Sequence, residues 1–464
     1  MRDFLPAEKA KRDRVLQVIR RSYSARGFDE IETPVMEDSD RLHAGLGGDN
    51  EKLAFAVMKR GITPEVLAEA TDPLELADLG LRFDLTVPLA RFYASHRGEL
   101  PTVFRSIQIA PVWRAERPQK GRYRQFVQCD IDIIGEAGPL AEVELLTATA
   151  ATLDALGLEG CTIRVNDRRL LTSALTILGF PAKEHDAVLV TLDKLDKIGQ
   201  DGVIAELRQR AFPAGPVDAL EEFFRRPTTM EQLPFGEAAI RKFLPEGVDA
   251  AAVASLAEIG LAVEAARRAS PAAAPADPVP ADPAPGDPAP GPTAAATGPA
   301  LPAADAPAPI IGFDPWLVRG MGYYTGAIFE VVHPALGYSL GGGGRYDNMI
   351  GRFLGTDVPA AGFSFGFERV VDLVELSSHA QADAVALLHE ADAEPGALSA
   401  LQSALIASGK RVRLVRRPKN LAPLLDQLAQ SGFSAYAVVG SGAALEALVA
   451  TGAAPDALEF KPLH

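Results

Sequence analysis

The sequence predicts an α+β protein, in which an antiparallel sheet flanked by helices carries a helical insertion and a small C-terminal α/β domain follows. Residues 104–113 and 125–134 are rich in β-branched and aromatic side chains and flank a loop with proline and glycine, which is typical of an antiparallel hairpin. From about residue 180 to about residue 268, the pattern is helical and charged. From residue 382 onward, short apolar strands alternate with helices, which indicates an α/β domain with a mainly parallel sheet.

Length and charge limit the classes of protein to which the chain can belong. With 464 residues and 47% hydrophobic content, it can bury a large core and is expected to hold two or more domains. Its formal net charge of −15 excludes binding of nucleic acid through bulk positive charge, so any such contact must come from local patches. Cys129 and Cys161 lack metal-ligand spacing and are expected to be buried free thiols. The sequence has no long apolar run, which favours a cytoplasmic protein.

The first residues predict a helix followed by a short strand. Apolar residues recur at helical spacing between residues 7 and 27, with Gly27 as the C-terminal cap. Residues 30–35 then predict a strand. By periodicity alone, this is an ordinary amphipathic helix packed on a sheet.

Residues 81–88 predict another strand, which carries an acid and a hydroxyl. Asp84 and Thr86 stand two positions apart, so on a strand they face the same way, which suits an ammonium group. A capped strand end explains the same two residues without a ligand, and both interpretations remain open at this point.

The predicted hairpin combines acids on a strand with arginines on a loop. Side chains alternate along a strand, so Phe126, Gln128, Asp130 and Asp132 share one face, while the residues between them face the core. The loop 114–124 carries five cations, four of them arginine. Because unpaired buried carboxylates are costly, such a face can hold a cationic small molecule beside a polyphosphate that the arginine forks bind. The alternative is an exposed charged hairpin.

Three later blocks combine glycine with charged or aromatic residues. Residues 316–330 read WLVRGMGYYTGAIFE, and residues 341–347 read GGGGRYD. Glycines let the backbone approach a ligand closely, although alone they indicate only a flexible turn. Residues 360–370 predict a strand that leads into a helix carrying Arg369.

These blocks together resemble one family. Residues 114–132 resemble motif 2 of class II aminoacyl-tRNA synthetases in the form found in histidyl-tRNA synthetases, and residues 316–330 resemble the RGLDYYTGxxFE signature of that family. Residues 341–347 resemble its GGRYD block. Residues 7–35 resemble motif 1, which forms the dimer interface in class II synthetases, and residues 360–370 resemble motif 3. The resemblance implies the class II antiparallel sheet.

One segment matches only part of this family, and one position departs from its signature. Residues 81–86 are similar to the LRxDLT segment of eukaryotic and archaeal histidyl-tRNA synthetases, where the acid holds the α-amino group of the substrate. Gly322 departs from the signature, because an aspartate is usual there.

The resemblance implies a role for each candidate site residue. The residues implied to bind histidine are Asp84, Thr86, Gln128, Asp132, Tyr323 and Tyr324. The residues implied to bind ATP are Arg114, Glu116, Arg122, Phe126, Arg319 and Arg369. Of these, Arg114 and Arg319 would be catalytic, because each would offset charge on the α-phosphate. Phe126 and Arg369 would enclose adenine, and Asp132 would pair with the imidazole ring. The implied cofactors are ATP and Mg²⁺, with the metal ligands unassigned.

The resemblance also divides the chain into segments. It implies, in order, a catalytic domain with motifs 1 and 2 (1–170), a helical insertion (171–268), a Pro/Ala-rich disordered loop (269–309), the rest of the catalytic domain with the histidine signature and motif 3 (310–378), and an anticodon-binding-like α/β domain (382–464). The composition of the 269–309 tract by itself also predicts an extended, disordered loop. The implied partners are histidine, histidine tRNA and a second copy in a homodimer, with no membrane.

The implied activity is that of a ligase in protein biosynthesis. Histidine would react with ATP to give histidyl-adenylate, and the histidyl group would then move to the 3′ end of histidine tRNA. The alternative is a non-catalytic, histidine-sensing relative such as the ATP phosphoribosyltransferase regulatory subunit. Such relatives usually lack the C-terminal domain and the ATP arginines, whereas this chain has both. A third interpretation is an adenylating enzyme with a non-tRNA acceptor.

Overall fold

The computed structural model describes residues 1–42, 53–117, 121–226, 229–269, 309–319, 323–375, 381–442, 447–448 and 458–463. Residues 270–308 of the predicted Pro/Ala-rich loop, and Gly322, lie outside these ranges. The chain forms two compact units, one of Met1 and Val15–Val374 and the other of Arg2–Arg14 and Glu375–His464.

The described strands, in chain order, are β1 (Asp29–Glu30), β2 (Met36–Asp38), β3 (Phe55–Met58), β4 (Ala77–Leu81), β5 (Phe104–Trp113), β6 (Gln125–Ile134), β7 (Thr162–Asp167), β8 (Glu231–Gln232), β9 (Ile310–Phe313), β10 (Ala327–Val332), β11 (Gly341–Arg345), β12 (Ala360–Gly366), β13 (Gln381–His389), β14 (Arg411–Arg416), β15 (Phe433–Val439) and β16 (Lys461–Pro462).

The described α-helices are α1 (Pro6–Ser24), α2 (Ser39–Leu42), α3 (Pro64–Glu69), α4 (Thr86–His96), α5 (Leu140–Ala155), α6 (Arg168–Ile177), α7 (His185–Leu192), α8 (Leu195–Gln209), α9 (Ala214–Phe224), α10 (Glu237–Lys242), α11 (Ala250–Ala269), α12 (Asp347–Leu354), α13 (Phe367–Leu373), α14 (Pro395–Ala407) and α15 (Ala422–Gln430). Among the described residues, no helix combines the length and the apolar character needed to cross a membrane.

The first unit is built on a nine-stranded sheet with the order β1-β5-β6-β12-β11-β10-β7-β9-β8. From β5 to β7 in this order, each strand pairs antiparallel with the next. Only at its sides does the sheet become mixed, because β1 joins β5 and β9 joins β7 in parallel. A smaller sheet has the order β2-β4-β3. The predicted antiparallel sheet flanked by helices is confirmed.

The predicted hairpin supplies two adjacent strands of this sheet, β5 and β6, next to the edge strand β1. Strands β5 and β6 pair without a break from Phe104 opposite Ile134 to Trp113 opposite Gln125. On one face of β6, the residues Cys129, Ile131 and Ile133 are fully buried, as the alternation of side chains predicts. Cys129 and Cys161 are both buried, and neither belongs to a disulfide. The core thus holds one face of the strand, and the other face is left for the pocket.

The helical segment from α6 to α11 shares a core with the sheet. Leu171, Val203 and Leu220 from these helices belong to one buried cluster with Leu317 and Ile328. The indole ring of Trp316 also packs on α9, with centroid distances of 5.3 and 4.6 Å to the rings of Phe223 and Phe224. The helices therefore pack against the segment around Trp316 that precedes β10.

The second unit contains a four-stranded sheet with the order β14-β13-β15-β16. Strand β13 pairs in parallel with both β14 and β15, and only β16 is antiparallel to its neighbour. Helix α14 begins at Pro395, where the Glu394 carboxylate accepts hydrogen bonds from the first backbone N–H groups. The predicted small α/β domain with a mainly parallel sheet is confirmed.

Two predicted strands are wrong. Residues 31–35 form no strand, since β1 ends at Glu30. Asp84 and Thr86 are not on a strand either: Thr86 begins α4, and Asp84 lies in the turn before it, where its Oδ1 accepts a hydrogen bond from Val87 N at 3.2 Å. The carboxyl group of Asp84 satisfies one of the free N–H groups at the helix start, and this favours a helix over a strand.

Candidate active site

A pocket on the large sheet brings the predicted site residues together. Strands β6, β11 and β12, the start of α13 and the segments before α4 and β10 contribute to its lining. Every predicted site residue lines this pocket: Asp84, Thr86, Arg114, Glu116, Arg122, Phe126, Gln128, Asp132, Arg319, Tyr323, Tyr324 and Arg369. The aspartates and the arginines among these residues lie in different parts of the pocket.

One part, the acidic end, holds Asp84, Asp130 and Asp132. Asp130 and Asp132 are only 3% and 4% exposed. Burial raises the pKa of Asp132 to about 7 and that of Asp84 to about 6. Burial and the charge of Asp132 hold the pKa of Asp130 well above its ordinary value. Three carboxyl groups that resist ionisation in each other's presence favour a cationic ligand, because a positive charge offsets both burial and mutual repulsion.

Gln128 leaves an unused hydrogen-bond acceptor at this end. Its Nε2 donates to Ser364 Oγ at 2.9 Å and lies 3.4 Å from both carboxylate oxygens of Asp130. Its Oε1 is buried and has no hydrogen-bond partner among the described residues. Buried acceptors are normally paired, so this oxygen is suited to receive an N–H donor from a ligand.

Asp132 is fixed from two sides. Tyr346 is 2% exposed and its hydroxyl donates to Asp132 Oδ1 at 2.5 Å. Gly362 lies directly opposite Asp132 on β12, and a Cβ at this glycine would stand 1.9 Å from the same oxygen. The missing side chain of Gly362 therefore provides the space that the Asp132 carboxyl group occupies.

Tyr323 and Tyr324 form an aromatic wall beside the aspartates. Their ring centroids are 4.5 Å apart, and Tyr323 OH donates to Tyr324 OH at 3.3 Å. The ring of Tyr346 meets Tyr323 edge-on at 6.3 Å. Burial and the neighbouring Tyr324 raise the pKa of Tyr323 well above its usual value, so its hydroxyl stays neutral and can donate.

The other part, the arginine end, holds Arg114, Arg122, Arg319 and Arg369. Burial lowers the pKa of Arg369, and the positive charges of the other three arginines lower it further. Arg369 is held by two backbone carbonyls, since Nη1 donates to Ser339 O at 2.6 Å and Nε donates to Gly121 O at 3.1 Å. Arg369 thus lies within electrostatic range of three other guanidinium groups, an arrangement that suits a polyanion.

Arg114 belongs to both ends. At the acidic end, its positive charge partly offsets the rise in the pKa of Asp84 and Asp130. At the arginine end, the same charge helps to lower the pKa of Arg369. Its Nε donates to Phe83 O at 2.9 Å, and its Cζ lies 5.0 Å from the ring centroid of Phe126. Arg114 thus stands where a ligand cation and a ligand polyphosphate would meet.

The sequence placed Asp130 on the ligand face but assigned it no role, and it assigned none to four other residues that line the pocket: Tyr346, Gly362, Ser364 and Glu368. The signal for a role of Asp130 is its place between Gln128 and Asp132 on that face. Tyr346 stands in the glycine-rich block 341–347. Gly362 and Ser364 reach the pocket only through the pairing of β12 with β6, which no local pattern predicts.

The donor set of the pocket does not form a metal site by itself. Among the described residues, there is no cluster of three or more His, Cys, Asp or Glu that could hold a metal ion. The acids of the pocket other than the three aspartates are Glu116, which pairs with Arg122 at 3.7 Å, and Glu368, whose Oε2 accepts from Val127 N at 2.9 Å.

Comparison with known proteins gives one consistent family. The family model described as "Histidyl-tRNA synthetase" matches residues 1–274 and 298–370. The break in the match, 275–297, falls inside the Pro/Ala-rich tract. The histidine–tRNA ligase of Leifsonia xyli is 56% identical over 443 residues, which cover 95% of this chain and 94% of the relative. The probable histidine–tRNA ligase of Tropheryma whipplei is 40% identical, with 94% and 93% of the two chains covered.

Solved structures give the same fold at lower identity. The histidyl-tRNA synthetase of Nostoc sp. superposes with a TM-score of 0.67 at 23% identity, over 95% of this chain and 90% of that one. A Bacillus halodurans protein described as an ATP phosphoribosyltransferase regulatory subunit/histidyl-tRNA synthetase also has a TM-score of 0.67, at 19% identity, over 95% and 96%. At these identities the likeness concerns the fold alone. On the family model and the 56% identity, the chain belongs to the histidyl-tRNA synthetase family.

Proposed function

We propose that this chain is a histidine–tRNA ligase, an aminoacyl-tRNA synthetase that activates histidine with ATP and transfers it to the 3′ end of histidine tRNA. The observation that carries the proposal is the pocket's division into an acidic end and an arginine end that meet at Arg114. The curated relatives from Leifsonia xyli and Tropheryma whipplei support it by name. The regulatory alternative has no such support, since these relatives are ligases.

In the first step, the acidic end would hold histidine. Asp84, Asp130 and the free Gln128 Oε1 would receive the α-ammonium group, and Thr86 lies at the same end of the pocket. Asp132, oriented by the Tyr346 hydroxyl, would accept the N–H of the imidazole ring, while Tyr323 and Tyr324 enclose it. A carboxylate on the ring N–H selects histidine over side chains of similar shape that lack this donor.

The arginine end would hold ATP. Phe126 and Arg369 would enclose adenine, with Glu116 and Arg122 beside it, and Arg114 and Arg319 would contact the α-phosphate. A carboxylate oxygen of histidine then forms a bond to the α-phosphorus as the bond to pyrophosphate breaks. The two arginines offset the charge that develops on the phosphoryl oxygens.

In the second step, a hydroxyl of the terminal adenosine of histidine tRNA attacks the carbonyl carbon of histidyl-adenylate. The new ester bond forms, the bond to the phosphate breaks, and AMP leaves with the proton lost from the hydroxyl. Because the chain carries a net charge of −15, contacts to tRNA come from local basic patches, and the affinity for tRNA falls as salt rises.

Mg²⁺ would enter with ATP. This ion usually binds through one or two carboxylates together with phosphate oxygens, so a small protein donor set suits it. Glu368, at the start of α13, is the acid of the pocket that would offer it a carboxylate oxygen. Mg²⁺ would neutralise phosphate charge, while the arginines orient the phosphates. We also infer a homodimer, from the resemblance of residues 7–35 to motif 1, and a cytoplasmic location.

The test is histidine-dependent exchange of label between pyrophosphate and ATP, followed by charging of total tRNA with labelled histidine. Exchange with charging is the expected result. Exchange without charging would indicate an acceptor other than tRNA. Histidine binding without exchange would favour the alternative of a non-catalytic, histidine-sensing protein.

The variant Arg319→Ala tests whether this pocket carries out the exchange reaction. Loss of an arginine from the phosphate contact is expected to abolish exchange, since one preorganised donor contributes roughly 10²–10³-fold in rate. The variant also loses the ion pair with Glu330, which keeps Arg164 as a second partner at 3.4 Å, so the melting temperature is measured in parallel and the protein is expected to remain folded. Normal exchange in this variant would contradict the assigned role.

A further inference from the structure

A row of polar residues crosses the large sheet and ends at Arg319. In the strand register, Gly342 of β11 lies opposite Glu330 of β10, Glu330 lies opposite Arg164 of β7, and Arg164 lies opposite Gly312 of β9. Residues directly opposite one another on neighbouring strands share a face of the sheet. The row therefore joins the pocket to strands that carry none of the predicted site residues.

Arg319 rests on this row. A Cβ built on Gly342 would lie 2.5 Å from Arg319 Cζ, so the guanidinium group occupies the space that the glycine leaves. Nη1 of Arg319 donates to Glu330 Oε1 at 2.8 Å. The two side chains are 22% and 16% exposed. The guanidinium group is thus located by a glycine on one strand and a carboxylate on the next.

Glu330 is held in turn by Arg164. Nη1 of Arg164 lies 3.4 Å from Glu330 Oε2, and its Nε donates to Asp314 Oδ2 at 2.6 Å. The same Nη1 donates to Asp196 Oδ2 at 2.6 Å. Burial alone would lower the pKa of Arg164, but Asp314 and Asp196 raise it above its ordinary value, so this residue keeps its charge.

Asp196 connects the row to the helical segment. It lies in the first turn of α8 and is 67% exposed, whereas Arg164 is 14% exposed. A second acid before α8, Asp193, lies within electrostatic range of both Arg319 and Glu330. An ion-pair chain therefore runs from the surface of the helical segment, through Arg164 and Glu330, to Arg319.

We propose that Glu330 and Arg164 are positioning residues for Arg319, and that Asp196 extends their ion-pair chain to α8. The proposal rests on the proposed function, because it requires that Arg319 contacts the α-phosphate. A guanidinium group fixed before ATP binds loses less side-chain freedom in the transition state. Glu330 and Arg164 would then act on the rate of adenylate formation and not on histidine binding.

The decisive experiment is a double-mutant cycle measured by pyrophosphate exchange. Glu330→Gln and Arg164→Gln are each expected to lower kcat about tenfold, as loss of a charge-assisted hydrogen bond to a catalytic group would. The KM for histidine should not change. In an Arg319→Lys background, which keeps a charge but loses the fork, the same substitutions should lower kcat by less than about twofold, because residues that act as a unit are not additive.

A matched control separates positioning from general stability. Glu144→Gln breaks the ion pair with Arg105 on the same sheet, where Nε donates at 2.6 Å, and neither residue lines the pocket. It should leave kcat unchanged. Unaltered kcat in Glu330→Gln, or equal losses in both backgrounds, would overturn the proposal while leaving the ligase assignment intact. Absence of exchange in the unaltered protein would overturn the proposed function and this inference with it.

If Glu330→Gln lowers the melting temperature, a variant at the exposed end of the ion-pair chain still tests the proposal. Asp196→Lys places a cation next to Arg164 at an exposed position, and it is expected to lower kcat about threefold, in line with exposed ion pairs. The control is Asp186→Lys, because Asp186 pairs with Arg168 at 2.5 Å and is 78% exposed. If both lysine variants keep full kcat, the chain does not reach the surface and its extension to α8 is wrong.

Discussion

At the scale of single residues, the pocket concentrates carboxyl groups where solvent hardly reaches. The pKa of Asp132 is raised to about 7 and that of Asp84 to about 6, in both cases mainly by burial. Without a bound cation, these groups take up protons that they would not hold in water. A histidine ammonium group would reverse this tendency, so binding of the substrate and ionisation of the aspartates are coupled.

Asp132→Asn is expected to damage histidine binding far more than ATP binding. Below about pH 6 the Asp132 carboxyl group is protonated, and an amide differs little from it. Above pH 7 the carboxylate is charged, so the ratio of the variant's histidine KM to that of the unaltered protein should grow as pH rises from about 6 to 8, by about tenfold for one charge-assisted hydrogen bond. Using the ratio removes the titration of free histidine.

The same substitution gives an independent readout in stability. The native state keeps a proton on Asp132 between its ordinary pKa and about 7, whereas the unfolded chain has released it. The free energy of unfolding therefore falls as pH rises through this window. Asp132→Asn should therefore reduce the difference in the free energy of unfolding between pH 5 and pH 8, which thermal unfolding at the two pH values measures. Equal losses of histidine and ATP affinity by calorimetry, at every pH, would contradict the assigned role.

At the scale of elements, glycines on β11 and β12 let these strands lie close to each other and to the side chain of Asp132. A Cβ on Gly343 would stand 2.0 Å from Gly362 O, and one on Gly362 would stand 1.9 Å from Asp132 Oδ1. Both glycines have ordinary extended backbone, so the requirement is for space and not for unusual dihedral angles. Their absence of side chains shapes the floor of the pocket.

Gly362→Ala is expected to move the Asp132 carboxyl group away from the Tyr346 hydroxyl. The new methyl group has no room beside Asp132, and forced overpacking typically costs 1–3 kcal/mol, so the KM for histidine should rise by about tenfold or more. The KM for ATP should change much less. Exchange kinetics with varied histidine and varied ATP measure both.

The control is Gly98→Ala, since a Cβ at Gly98 meets nothing within 4 Å. This variant should behave as the unaltered protein. An equal rise in both KM values for Gly362→Ala would mean that the strand itself has shifted, and the local explanation would fail.

At the scale of the whole molecule, the chain returns to the catalytic sheet after the Pro/Ala-rich tract. Arg267, near the end of α11, donates from Nη1 to Pro309 O at 2.8 Å. The two ends of the tract therefore lie close together, and β9 begins immediately after it at Ile310. The family model likewise matches on both sides of 275–297. The sheet does not need the tract to connect its parts.

Replacing residues 271–308 by a short Gly/Ser linker is expected to leave the melting temperature and the charging rate nearly unchanged. Loop closure depends weakly on length, and each halving of a flexible loop changes the free energy by only about 0.6 kcal/mol. Calorimetric melting and initial rates of tRNA charging are the measurements. A collapse of either would show that the tract is more than a connection.

Much of the fold and of the candidate site could be predicted from sequence because the signals are local. Alternation along β6 predicts that Phe126, Gln128 and Asp132 share a face, and the structure places all three in the pocket. The α/β alternation after residue 382 predicts the second unit correctly. The spacing of apolar residues and the residue types of an element are set by neighbours in the chain, so they can be recognised from the sequence alone.

The errors and omissions arise where tertiary contacts decide. Asp84 was predicted on a strand, but its carboxyl group accepts a hydrogen bond from Val87 N at the start of α4, and the next residue, Leu85, accepts one from Gln108 of β5. Tyr346 reaches Asp132 across 214 positions of sequence, and Arg164 reaches Glu330 across 166. Such pairs depend on which strands lie side by side.

The sequence by itself determined the chemical inventory of this protein: the acids of β6, the arginines of the loop and signature, the paired tyrosines and the glycine-rich strand. Only the tertiary structure decided that the acids and arginines form two ends of one pocket that meet at Arg114, and that Arg319 lies on a glycine beside Glu330. The physical reason is that burial, mutual repulsion and pairing depend on distances in space, which strand order and register set.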